Sequence, residues 1–503
     1  MTPTAAPPQI DVLVAGPVLA PAIGAVLVLA LDALWPHRRT PAPVIGGLAL
    51  LLGLGAAISL RLRVGADGAL STVCLPGDPA LDVSAPNGAD VGPCLLHVGQ
   101  SGALLQALAA AAGIAVLALL LARPPGHETQ EGPASASGPG VETALLLTTV
   151  TGAATVTVAR DLGTWLVGLE LATLPVVALA VLRGGRRDSG AMQLIMTSIS
   201  SFGVAVLGAG LWVSATGSIR LGGGAARSAW QEDGPRALLT LALVLLLAAL
   251  AFKLSLVPFH AWTPATYPRA GVAVTMLLAS VSAIAAVGAL IAVMEGAAGV
   301  RPDLVPVLGV LAVASMLVGA VLALRASDPL RLIAWSAVTQ GGWVIAPLAA
   351  GDVDAAIGYL AVYVVAVTTV LAVVADLAPG GGRTLEDDRG LLRRRPVHAA
   401  LLGLGLLTLA GLPPGVAGLL AKFVALRPLA DAGLWWIALP AVLAAAIGFA
   451  VYLRWLALVL APERVPREPE AVTRTRTTVA VVAGVVLLTA TVLPVLLLGA
   501  GTR

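Results

Sequence analysis

Lys253 and Lys422 are the only lysines in this 503-residue chain, and every other basic side chain is arginine. Both lie in strongly apolar stretches. An ammonium at membrane depth costs at least about 2.5 kcal/mol, so one that is kept usually marks a proton or ion path with partners facing the bundle interior. Glu170, in LGTWLVGLELATLPVVALAVL, belongs with them, because no charge lies nearer in sequence than Asp161 and Arg183. Burial favours the neutral form of a carboxyl or an amine and pairing favours the charged form, so such groups a few ångströms apart can toggle protonation. Glu170 and Lys253 form a natural pair for that switch. The competing readings are a static ion pair, or a lysine snorkelling to the headgroups.

Each lysine stands beside a helix breaker. In LLLAALAFKLSLVPFHAWTPATYPRAG, Pro258 lacks a backbone N–H and clashes with the preceding turn, so the helix carrying Lys253 should kink or end there. Ser255, His260, Thr263 and Tyr267 would gather around the break. Lys422, in LTLAGLPPGVAGLLAKFVAL, follows Gly411, Pro413 and Pro414. Broken helices at membrane depth are tolerated where protein or a water-filled cavity surrounds them, and two in corresponding positions suggest an internal repeat with the site at its centre.

The elements that hold these residues are membrane spans. Apolar residues make up 58% of the chain and charged ones 11%, far from the roughly half and quarter of a soluble protein. Apolar runs predict an all-α polytopic protein of about fourteen spans. They lie near 10–34, 42–62, 100–122, 144–159, 162–182, 191–215 and 237–257, then near 272–294, 304–324, 331–349, 355–376, 397–425, 435–460 and 477–499. Loops on one side of this pattern carry roughly twice the arginines of the other. They include Arg38, Arg39, Arg123, Arg186, Arg187, Arg393 to Arg395, Arg464 and Arg467, and the bias predicts both termini outside. The N-terminus MTPTAAPPQIDV has no basic n-region, so the first span is expected to stay in the mature chain.

Cys74 and Cys94, the only cysteines, fall in the outward loop 63–99, where they are either a disulfide or two free thiols. Residues 123–143 read as a flexible cytoplasmic linker. No phosphate-cradling GxxxxGK[ST] loop and no iron–sulfur cysteine pattern is present, so a partner or an ion gradient must drive the protein. Of the five histidines, His37, His97, His127 and His398 lie in or beside loops and are expected to be solvated, and none of the five has metal-ligand spacing. Trp335, Trp343, Trp435 and Trp436 read as interfacial anchors or packing residues. Arg454 reads as meeting a neighbouring subunit or a lipid headgroup, or snorkelling inward. No nucleic-acid partner is expected.

VGLELATLP, FKLSLVPFHAWTPATY, RLIAWSAVTQGGW, LAGLPPGVAGLLAKF and VYLR resemble the antiporter-like membrane subunits of respiratory complex I, from about residue 140 to 460. The resemblance implies a non-redox, proton-translocating subunit of a bacterial cell-membrane complex, with antiporter-like neighbours and two inverted five-helix repeats. Domains would run 1–140, 141–300 (first repeat), 301–460 (second repeat) and 461–503. It implies that Glu170 and Lys253 are the coupling pair, Lys422 the outer end of a hydrated relay, and His260 a relay member. NADH, flavin, iron–sulfur clusters and quinone would belong to partner subunits, with no cofactor in this one.

Three departures stand against that pattern. LLASVSAIAAVG puts Ala283 where a relay lysine is expected, and WSAVTQGGW puts Gln340, which cannot titrate, where a histidine is expected. PPGVAGLLAKF carries one extra residue, which rotates a helix by about 100° and calls for a bulge to keep Lys422 facing inward. Ser255, Tyr267, Ser280, Ser282, Thr339 and Gln340 could still line a water wire. A cation/proton antiporter subunit, a stand-alone secondary transporter, and a structural subunit that has lost pumping are the other readings.

Overall fold

The computed structural model describes residues 10–35, 41–65, 68–76, 91–122, 138–184, 189–377, 382–463 and 474–498. Arg38, Arg39, Arg123, Arg186, Arg187, Arg464, Arg467, His37, His127 and the linker up to residue 137 lie outside them. The first helices are α1 (Val12–Leu34), α2 (Ala42–Arg63), α3 (Gln100–Leu121), α4 (Pro139–Val156), α5 (Leu162–Leu171), α6 (Leu174–Gly184), α7 (Ser189–Thr216) and α8 (Gly223–Trp230). The central set is α9 (Asp233–Lys253), α10 (Trp262–Ala270), α11 (Val272–Leu277), α12 (Ala283–Gly296), α13 (Arg301–Ala323), α14 (Pro329–Ala349) and α15 (Val353–Leu377). The chain continues with α16 (Leu391–Arg394), α17 (Pro396–Ala410), α18 (Val416–Asp431), α19 (Trp435–Leu460), α20 (Arg474–Val492) and α21 (Val495–Leu498).

Twelve spans among the described residues are long and apolar enough to cross a bilayer. Two of the fourteen expected ones fall short. Near 144–159, α4 is 18 residues long and diluted by Glu142 and six threonine or glycine residues between 143 and 155. The run 397–425 is split into α17 and α18, because Gly411 at φ 79° ends α17 in the left-handed region that glycine adopts without a Cβ penalty. Pro413 and Pro414 then keep the chain out of helix until Val416.

Apolar all round, α15 lies wholly inside the bundle, whereas α1, α2, α7, α19 and α20 bury only between 33% and 39% of their spans. The outer helices therefore present Leu, Val, Ile and Met to lipid or to partner subunits. One small β-element joins them. β1 (Leu70–Pro76) and β2 (Val91–Val98) form an antiparallel hairpin with Cys74 opposite Cys94, and the two cysteines are disulfide-bonded. Leu96 and Val98 seat the hairpin on Val14, Leu60 and Val158.

The described loops gather at two ends of the bundle. The hairpin end carries an Arg160–Glu295 ion pair, a backbone β-bridge between Asp161 and Arg220, and a Ser101 hydroxyl donating to Asp354 at 3.0 Å. At the opposite end, cations sit on the spare carbonyls of helix C-termini, where the helix dipole favours them. Arg476 donates to Ala122 O past α3 and to Ala375 O near the end of α15, and Arg383 donates to Leu377 O. Arg183 binds Leu120 O and pairs with buried Glu142 at 2.8 Å. Arg454 turns inward, donating to Leu324 O and Ala326 O beyond α13, and so closes the end of another helix of its own chain.

His398 corrects its expectation. It is 6% exposed, and its Nε2 lies 2.7 Å from Oδ2 of buried Asp376, which also accepts from Thr477. Being two residues into α17, it faces the α15 end rather than a loop. His97, in the hairpin, is half-buried with Nδ1 2.9 Å from the Ser71 hydroxyl. Burial pushes its imidazole below the ordinary 6.5, Arg160 pushes the same way and Glu295 opposes. A depressed histidine pKa means that the unfolded chain binds the proton first. The stabilisation from neutral His97 is thus complete above pH about 6.5 and lost as pH falls below it. Hairpin resistance to protease should decline between pH about 7.5 and 5.5, and His97→Gln should flatten that slope.

Candidate functional site

Glu170 and Lys253 meet at two chain breaks. α5 gives way at Ala172 and Thr173, placing Glu170 in its last turn, and α9 ends at Lys253 itself. Lys253 Nζ donates to Glu170 Oε1 and to Thr173 Oγ1, both at 3.0 Å, with side-chain exposures of 7% and 11% for the pair. A lysine at a helix C-terminus complements the dipole, and here it turns inward to a carboxylate rather than outward to headgroups. Beyond it, Ser255 adopts φ 58° and accepts a hydrogen bond from Thr263, and the Val257–Pro258 peptide is cis.

Two cavities adjoin Lys253. One, of about 40 Å³, is faced by Thr173, Thr197, Ser198, Ser201 and Ser282. The Ser282 hydroxyl has no protein partner there. The other, of about 30 Å³, is bounded by Ser255, Tyr267, Ala283 and Tyr363. A water needs roughly 10–15 Å³ of such volume and two or more polar neighbours, so both are sized for water.

Ala283 stands directly after a π-helical turn, Leu278–Ser282, within which the Ser280 hydroxyl bonds back to Met276 O. The chain therefore carries its bulge here and not in α18, which is regular from Val416 to Asp431.

Lys422 is 8% exposed and donates to Leu409 O, at 3.0 Å, and to Ala410 O, the last carbonyls of α17. Its Nζ also lies 5.8 Å from the ring centres of both Trp343 and Phe449. The ammonium thus has carbonyl and π-face partners and, among the described residues, no carboxylate in contact. Lys422→Met should leave two buried carbonyls without donors and cost about 2–3 kcal/mol, seen as a lower thermal midpoint of the purified complex.

Gln340 lies between the lysines. Its Oε1 accepts from Tyr359 OH at 2.6 Å and its Nε2 donates to Tyr452 OH at 3.1 Å, while Tyr452 OH lies 2.7 Å from the Ser336 hydroxyl. Thr339 bonds back to Trp335 O. A cavity of about 10 Å³ touches Gln340, Tyr359, Tyr363 and Leu409, so Tyr363 borders both this space and the one beside Lys253.

The four tyrosines of the chain, Tyr267, Tyr359, Tyr363 and Tyr452, are all 6% exposed or less, and three of them escaped the sequence reading. Their signal was the same scarcity that marked the lysines, with Tyr359 and Tyr363 four apart on one face of α15. Asp376, a buried carboxylate at the end of a central span, was missed because it looks like a loop residue. Trp343 is a packing residue stacked on Tyr359 with ring centres 5.6 Å apart, while Trp435 and Trp436 are exposed at the start of α19. His260 occupies the break between α9 and α10 with its ring 5.5 Å from that of Trp335, and it borders none of these three cavities. Among the described residues, no three His, Cys, Asp or Glu side chains converge as a metal site.

Comparison with known proteins returns one family model, "NADH:quinone oxidoreductase/Mrp antiporter, TM", over residues 159–448. NADH-quinone oxidoreductase subunit N of Salinispora tropica is 36% identical over 469 residues, covering 88% of this chain and 85% of that protein. Subunit N 2 of Streptomyces griseus is 35% identical over 480 residues, covering 91% and 84%. A chain of respiratory complex I from Thermus thermophilus with bound aureothin superposes with TM-score 0.74 at 28% identity, covering 96% of this chain and 100% of that one. A chain of the Mrp complex from Dietzia reaches TM-score 0.80 at 21% identity, covering 98% and 96%, which shows the shared fold alone.

Proposed function

Because this chain belongs to the NADH:quinone oxidoreductase/Mrp antiporter family of transmembrane subunits, in its subunit N branch, we propose that it moves protons across the membrane through a buried relay while quinone is reduced elsewhere in the complex. The observation that carries this is the Glu170–Lys253 pair, two titratable groups at two helix breaks, with Lys253 bordering two cavities sized for water. A proton arriving on Glu170 weakens its hold on the ammonium, and Lys253 then gives its proton to water in the adjoining cavity. Reionisation of the carboxyl restores the pair. Ser255, Tyr267, Ser280 and Ser282 line or flank the way, and Thr339, Gln340 and the tyrosines extend it toward Lys422, with His260 at the break as a further member.

In this reading the chain is a non-redox subunit with fourteen membrane helices, two inverted repeats over 141–300 and 301–460, and both termini outside the bacterial cell membrane. α4 and the α17–α18 pair supply the two crossings beyond the twelve long spans. NADH, flavin, iron–sulfur clusters and quinone belong to its partners, among them antiporter-like neighbours.

Ala283 and Gln340 favour one competing reading, a scaffold subunit without pumping. Mild-detergent purification with mass spectrometry of co-migrating chains tests the assembly. Quinone-reducing and antiporter-like subunits are expected alongside it, and isolation alone or with cation-antiporter subunits only would overturn the assignment.

A further inference from the structure

Two stripes of side chains run from the Lys253 cavity to the hairpin end. On α12, Ala283, Val287, Ile291 and Glu295 recur every four residues, and on α15, Tyr363, Leu360, Ile357 and Asp354 recur every three. Adjacent members of each row are neighbours on the helix surface, and both rows wind around their helices toward the hairpin end. Ala283, Val287, Leu360 and Tyr363 border the 30 Å³ cavity beside Lys253. Ile291, Glu295, Ile357 and Asp354 border a cavity of about 1260 Å³ at the hairpin end, whose wall also carries Asp352 and Asp431. The aliphatic Val287 and Leu360 border the inner space, and the aliphatic Ile291 and Ile357 border the outer one. Leu360 and Ile357 are three residues apart, about 4.5 Å along the helix, and Val287 of the inner cavity is followed directly by Gly288 of the outer one.

We propose that this short apolar neck, formed by Val287, Ile291, Ile357 and Leu360, is a gate through which protons leave the Lys253 cavity for the acidic basin. The inference rests on the proton-path reading of Glu170 and Lys253. In the exit step the Lys253 ammonium gives one proton to a cavity water, leaving a neutral amine and a hydronium. The excess proton crosses when water briefly wets the neck, and Glu170 returns the next proton to the amine. Hydrophobic constrictions gate by wetting and drying, so the aliphatic neck holds back leakage between turnovers. Glu295, Asp354, Asp352 and Asp431 give the basin a negative field against Arg160, the one arginine or lysine among the described residues of its wall, and this field draws the released proton outward. Ala283 fits this route. The small side chain leaves open the cavity end that a lysine would fill, which gives the proton a way outward ahead of the branch toward Lys422.

The test uses the whole complex in membrane vesicles. Ile357→Ser should raise passive proton leak by about tenfold, because a hydroxyl in the neck lowers the cost of wetting. Adding Lys253→Met should remove that extra leak. Val287→Thr keeps the shape of valine, adds a hydroxyl and provides the same measurement should Ile357→Ser fail to assemble. Leak equal to the unmodified complex in the assembled variants would overturn the gate. If Glu170→Gln abolishes pumping while neither neck variant leaks, only this exit is lost. Pumping that survives Glu170→Gln would remove the proton-path reading beneath it.

Discussion

Glu170→Gln should abolish proton pumping by the assembled complex, cutting proton flux about tenfold or more, while the amide keeps a hydrogen-bond acceptor near Lys253. The substitution removes the carboxyl that passes protons to Lys253, and it leaves an ammonium buried at 7% exposure without a counter-charge. Breaking one side of a buried pair costs about 3–5 kcal/mol, so the variant should also be less stable. A double variant, Glu170→Gln with Lys253→Met, separates the two effects. With no charge left to bury, thermal stability should recover most of the loss, because neutral replacement of a buried pair is often tolerated. Pumping should stay absent. Recovery of both would assign the pair a purely structural role, as would unchanged flux in Glu170→Gln alone.

The second large effect is expected far from any charge. Gly418, in α18, lies so close to α17 that a Cβ there would overlap the Thr408 carbonyl, which is backbone and cannot swing aside. Gly418→Ala must push the two half-helices apart one turn before Lys422, whose ammonium is held by the carbonyls of Leu409 and Ala410. Overpacking of this kind costs about 3 kcal/mol, and the loss of the Lys422 contacts adds to it. The expected result is a much lower thermal midpoint and a subunit that dissociates from the complex. Gly47→Ala in α2 is the control, since a Cβ there meets nothing, and it should be neutral or stabilising by up to about 1 kcal/mol. Equal midpoints for the two variants would show that the α17–α18 contact is not tight in solution.

The sequence by itself determined the class of protein and the residues worth watching. Apolar runs of membrane length, two lysines, one isolated glutamate and prolines beside both lysines are local facts, because the cost of burying charge and of losing a backbone N–H belongs to the residue and its immediate neighbours. The breaks at Lys253 and before Lys422 were legible for that reason. Tertiary structure decided everything that depends on two distant segments meeting. It placed Lys253 3.0 Å from a carboxylate 83 positions away, gave Arg454 and Arg476 the carbonyl ends of other helices, and joined His398 to Asp376. A sequence shows that a charge needs a partner, yet a helix C-terminus offers carbonyls that no side-chain pattern records. The same holds for the tyrosines around Gln340 and for the neck between α12 and α15. A cavity is the space left by helices that do not quite touch, and only their packing fixes where that space falls.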